Sequence, residues 1–125
     1  KNKGIRFLIE SNISISTFKK IEIKVNNKNL FFLYDVGNRA LLNSDPEIDI
    51  LQLGKKRLKH VHIKDKNTKG INVKLGTGIA KFKKIFKALN KINYNGAFTF
   101  ETTRQNDPIQ TMRYNIKFLR SRLNS

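Results

Sequence analysis

There is no cysteine in the 125 residues, which excludes a disulfide framework and any thiolate-held metal. Histidine occurs only twice, so a centre that needs many imidazoles is excluded as well. No apolar run approaches the roughly 18 residues that a membrane-spanning helix requires. The start, Lys1-Asn2-Lys3-Gly4, is basic but is not followed by a signal-type apolar stretch, so the expected compartment is the cytoplasm. Acids are scarce: nine Asp and Glu stand against 26 Lys and Arg, a net charge of +17. Such a balance attracts nucleic acid, anionic membranes or phosphorylated substrates. Here the lysines are scattered over every segment and accompany abundant Asn and Ile, which reads as solvated faces and not as a nucleic-acid arm.

What is present is enough for a core. Hydrophobic residues make up 38% of the chain and include nine Phe, which argues against disorder and for about one domain, taken as residues 1–125. The stretch His60-Val61-His62-Ile63-Lys64-Asp65 alternates apolar and polar residues and holds both histidines. Period two reads as a strand, with His60, His62 and Lys64 on one face and Val61 and Ile63 on the other. Three more apolar runs read as strands, at 5–10 (expected to be buried), Leu30–Asp35 and 97–101, each closing on an acid: Glu10, Asp35 and Glu101.

Helical spacing lies between them. Ser14 or Ser16 caps a helix with Phe18, Ile21 and Val25 on one stripe. Asp45-Pro46 opens a second helix, stopped by Gly54. Phe82, Ile85, Phe86, Leu89 and Ile92 form a third stripe, and Asp107-Pro108 opens a last helix with Ile109, Met112, Ile116, Leu119 and Leu123 expected inward. Between the histidine strand and the third helix, residues 64–78 read as a long basic loop with Leu75-Gly76-Thr77-Gly78 near its end, its glycines serving as hinges of a closing lid.

Four strand-then-helix units imply an α/β fold, a parallel (βα)4 sheet with helices outside. Active sites of such sheets lie at the C-terminal ends of the strands. Glu10, Asp35, His62 and Glu101 all fall there, a set suited to a metal ion.

The motifs Tyr34-Asp35-Val36-Gly37-Asn38, His60–Asp65 with the glycine loop, and Gly96-Ala97-Phe98-Thr99-Phe100-Glu101-Thr102 resemble the sugar-phosphate isomerase/epimerase family with the xylose-isomerase-like TIM barrel. The resemblance runs from Ile5 to about Leu119 and matches strands five to eight, the C-terminal half of that barrel. It implies a divalent cation held by Glu10, Asp35, His62 and Glu101. Three carboxylates and one imidazole suit Mn²⁺, with Mg²⁺ or Co²⁺ as alternatives. It also implies Glu10 and Glu101 as the acid/base pair that moves a proton through a metal-bound enediolate of a sugar or sugar phosphate. His60 is expected beside the ligands and not among them. Asn38, Lys64, Lys66 and Arg104 are expected to contact substrate, the basic ones through a phosphate. The family often carries an acid where Lys81 stands, a departure that bears on the start of the third helix.

A whole (β/α)₈ barrel takes about 250 residues, so the expected partner is an absent N-terminal half-barrel or a second copy of the chain. The first residue is Lys and not Met, which fits a fragment or a shortened gene product. Competing functions are an endonuclease-like metal phosphodiesterase, which needs more histidines, and a non-catalytic basic half-barrel binding nucleic acid or a partner chain.

Overall fold

The computed structural model describes residues 4–123, so the basic start at residues 1–3 lies outside it. Strands β1 (Phe7–Glu10) and β2 (Leu30–Asp35) are joined by helix α1 (Ile15–Val25). Helices α2 (Val36–Ala40) and α3 (Pro46–Arg57) lead to β3 (Leu58–Ile63). A short antiparallel hairpin, β4 (Asp65–Lys66) and β5 (Asn72–Val73), precedes α4 (Phe82–Lys91), β6 (Ala97–Phe100) and α5 (Pro108–Leu123). The main sheet is parallel in the order β1-β2-β3-β6, an α/β half of a TIM barrel.

Local chemistry explains most boundaries. Ser14 accepts from Thr17 N and starts α1, and Asn26 at φ 48° ends it. Asp45 caps α3 ahead of Pro46. At Gly54 the backbone leaves helical geometry (φ 62°, ψ 173°), so the glycine stop holds and 55–57 add one further turn. α4 begins at Lys81 with no side-chain cap, as the missing acid implies.

In register, Phe32 lies beside Leu58, Tyr34 beside Val61, and Ile63 beside Phe100. These residues pack under α1, α3 and α4 with Phe18, Ile50, Leu53, Ile85, Phe86 and Leu89. Burying this one layer is the main stabilising term of the fold. The other sheet face is only partly covered. Leu8, Ala97 and Thr99 are exposed on it, beside the half-buried His60 and His62.

Three expectations need correction. β1 is not a buried strand: Phe7 and Leu8 are 53% and 39% exposed, because an edge strand is packed on fewer sides. The stripe expected to face inward on α5 is largely outside, with Ile109, Met112, Ile116 and Leu123 exposed. Tyr114, Asn115 and Phe118 turn inward instead. Tyr114 donates to Leu75 O (2.8 Å), Asn115 donates to Thr102 (2.8 Å), and Phe118 meets Phe82 edge-on at 4.9 Å. Residues 64–78 do not form a free loop either. The hairpin orders them, and Asp65, only 1% exposed, accepts from Lys66 N and Ala80 N through Oδ1 and from Gly76 N and Gly78 N through Oδ2.

Candidate metal centre

Parallel strands deliver their C-terminal residues to one edge, and four chemically matched residues meet there. Glu10 ends β1, Asp35 ends β2, His62 lies one residue before the end of β3, and Glu101 follows β6, its N–H donating to Ile63 O (3.0 Å). His62 Nδ1 is 3.6 Å from Glu10 Oε2, 3.7 Å from Asp35 Oδ2 and 3.7 Å from Glu101 Oε2. One ligand atom from each of the four residues lies within 4.8 Å of every other.

The burial of the four differs in a way that bears on their chemistry. The Asp35 side chain is 2% exposed, and its Oδ1 accepts from Asn38 N (2.7 Å), so the same residue caps α2. Glu10 and Glu101 are 38% and 46% exposed and come from the two outer strands, on opposite sides of Asp35 and His62. Asn38 reaches Glu10 Oε1 at 3.4 Å. His60 bonds Thr99 (2.7 Å between Nε2 and Oγ1) and stands edge-on to His62 at 5.2 Å, one layer below the cluster. Burial, and then the neighbouring His62, hold the His60 pKa below that of an ordinary histidine.

Lys64 was expected at a substrate phosphate. The structure turns its ammonium into the acids, 2.9 Å from Asp35 Oδ2 and in contact with Glu101 Oε2. Burial alone would lower the Lys64 pKa, but its contacts to Glu101 and Asp35 outweigh that and raise it. Lys64 in turn holds the Glu101 carboxyl below the usual glutamate value. Lys66 lies in the hairpin and Arg104 is exposed after β6, and neither bonds to the cluster among the described residues.

The residues present fit a divalent cation. Three carboxylates and an imidazole converge, and His62 Nδ1 is buried with no hydrogen-bond partner, while the buried Asp35 Oδ2 is met by the Lys64 ammonium. An atom left as His62 Nδ1 is costs stability unless another group meets it.

Three arrangements escaped the reading of the sequence: Lys64 among the acids, Asp65 beneath the glycine loop, and a buried Arg39–Asp49 pair (2.6 Å). Arg39 also donates to Ile13 O (2.8 Å) and lies 5.4 Å from the Tyr34 ring centre. The signals available were Asp65 heading a glycine-rich loop and one Arg beside an apolar strand, and neither names its partner.

Comparison with known proteins agrees with the fold. A curated Haemophilus influenzae protein named "Putative L-ribulose-5-phosphate 3-epimerase SgbU" is 32% identical over 105 residues, 77% of this chain and 36% of that protein. A solved D-allulose 3-epimerase from Methylomonas sp. superposes with a TM-score of 0.80 at 24% identity, over 98% of this chain and 50% of that one. The IOLI protein, solved with a bound zinc atom, superposes with a TM-score of 0.68 at 18% identity, over 86% of this chain and 42% of that one. The chain thus spans about half the length of these structures and about a third of the curated relative. Residues 1–122 match the family model of the xylose isomerase-like TIM barrel, and the chain belongs to that family.

Proposed function

We propose that this chain carries the metal-binding and proton-transferring half of a sugar or sugar-phosphate epimerase or isomerase. The observation that carries the reading is the convergence of Glu10, Asp35, His62 and Glu101, with the two accessible glutamates approaching from opposite edges of the sheet. These four residues would hold Mn²⁺, Mg²⁺ or Co²⁺. When bound, the ion would polarise the carbonyl of a ketose and make the adjacent C–H acidic.

The chain's own residues do the rest. Asp35, pinned by its cap on α2, keeps a fixed position. Glu10 and Glu101 have solvent-facing carboxylates able to take a proton from one side of a carbon and return one from the other. Return to the opposite face of the same carbon inverts it, which is epimerisation. Return to the neighbouring carbon is isomerisation. Asn38, beside Glu10, is placed to contact a sugar hydroxyl, and Lys66 and Arg104 are available to an anionic substituent beyond the cluster. The names of the relatives, an L-ribulose-5-phosphate 3-epimerase and a D-allulose 3-epimerase, support a ketose. The open edges at β1 and β6 support closure by a further half-barrel or a second copy.

The test is exchange of a ketose C–H proton with deuterated solvent in the presence of Mn²⁺, Mg²⁺ or Co²⁺, using ketoses and ketose phosphates. Glu101→Gln is expected to slow exchange by about a hundredfold or more. Exchange at the parent rate in that variant would refute the assignment.

A further inference from the structure

Lys64 is the first residue beyond β3, and the alternation of the strand sends its side chain to the face that carries His60 and His62. Its stem passes over Gly37 at the start of α2, where a Cβ would collide with Lys64 Cγ. The residue is 8% exposed despite its charge. Its ammonium ends 2.9 Å from Asp35 Oδ2 and against Glu101 Oε2. These are two of the oxygens that surround His62 Nδ1. Asp35 has no other oxygen free, because Oδ1 is committed to Asn38 N.

We propose that Lys64 is a tethered counter-cation of the metal centre: it stands on two of the four ligand groups, and a divalent cation loads only as the Lys64 ammonium withdraws. The inference rests on the metal-centre reading above and adds a competitor to it.

The electrostatics are direct. Three carboxylates gathered within 4.8 Å of one another repel, and in a partly buried site water screens them poorly. Lys64 supplies the opposite charge and keeps the strand tips together. It is an imperfect substitute, since the ammonium meets Asp35 and Glu101 but leaves His62 Nδ1 without a partner. A divalent ion can take all four groups at once, yet it must share Asp35 Oδ2 and Glu101 Oε2 with a positive charge or expel it. Lys64 therefore holds back cations that bind the acids weakly.

The test is calorimetric titration with Mn²⁺ of the parent chain, His62→Ala, Lys64→Met and the Lys64→Met/His62→Ala pair, with folding checked by circular dichroism. Lys64→Met is expected to bind Mn²⁺ at least tenfold more tightly than the parent, and the gain should vanish in the pair. Equal or weaker binding by Lys64→Met than by a parent that binds overturns the inference. No binding by either chain, or parent binding that survives His62→Ala, would instead defeat the metal-centre reading itself and the inference with it, so the two failures are distinct. A second measurement needs no variant: the Lys64 ammonium signal of the parent, followed by nitrogen-15 NMR during titration with diamagnetic Mg²⁺. It should lose its protection from solvent exchange as the site fills, and a signal unchanged at saturation counts against displacement.

Discussion

The carboxylate of Asp65 accepts a hydrogen bond from Gly78 N at 2.8 Å, and the two residues approach so closely that a Cβ on Gly78 would strike the carboxylate. This contact, with those from Gly76, Ala80 and Lys66, fastens the connection between β3 and α4. Asp65→Ala should destabilise the chain by about 2–4 kcal/mol, because four part-buried amide N–H groups lose their acceptor at once. Asp65→Asn should cost less, since one oxygen remains. Urea unfolding of the two variants checks this, and a change below about 0.5 kcal/mol for Asp65→Ala would show that the loop does not depend on the carboxylate.

The Arg39–Asp49 pair is a further buried charge arrangement, with Ser44 also donating to Asp49 at 3.0 Å. Removing one partner leaves an uncompensated charge between α2 and α3. Asp49→Ala is expected to lower stability by about 3 kcal/mol, and Arg39→Met/Asp49→Leu to recover most of that loss. Denaturant melts of the single and double variants read the difference.

Metal loading should stabilise the fold, since an unfolded chain does not bring four distant residues together. At a free Mn²⁺ concentration about a hundred times the dissociation constant, the gain is about 2.7 kcal/mol. Chelator should reverse it, and His62→Ala should abolish it. Melting temperature against metal concentration is the measurement, and a parent melting point indifferent to Mn²⁺ contradicts the site.

Two surface pairs tie α3 to α4: Asp45 with Lys84 and Glu47 with Lys91, both at 2.6 Å. Hydrogen bonds from these lysines hold both carboxyls below their ordinary pKa values. The unfolded chain therefore takes up these protons first as pH falls. The stabilisation is complete above the ordinary carboxylate range and is lost as pH drops through it to the lowered folded values. Asp45→Asn/Glu47→Gln should flatten the acid side of a stability-against-pH curve and reduce its sensitivity to salt. An unchanged acid limb would show that other carboxyls govern it.

Much of the fold is legible in short-range pattern. Apolar runs closing on Glu10, Asp35 and Glu101 mark the strand ends to within a residue or two, and Ser14, Asp45 and Asp107 mark helix starts. α4 shows why this works: Phe82, Ile85, Phe86 and Leu89 are all buried, because one helical stripe faces one layer. α5 shows where it stops. Two of its faces are apolar enough to pack, and the choice between them is made by Leu75 O, Thr102 and Phe82, each far away along the chain.

The same division runs through the candidate site. The amino-acid sequence puts four ligand-type residues at the tips of four strands, because side-chain alternation and strand direction are local properties. It also determined the single buried layer and the parallel order of strand and helix. Tertiary structure alone decided that His62 Nδ1 lies within 3.7 Å of all three carboxylates. It alone turned the Lys64 ammonium in among them and set Asp65 beneath the glycine loop. Charged and hydrogen-bonding side chains take whichever partner the packed strands bring within a few ångströms, and the periodicity of a single segment carries no information about that partner.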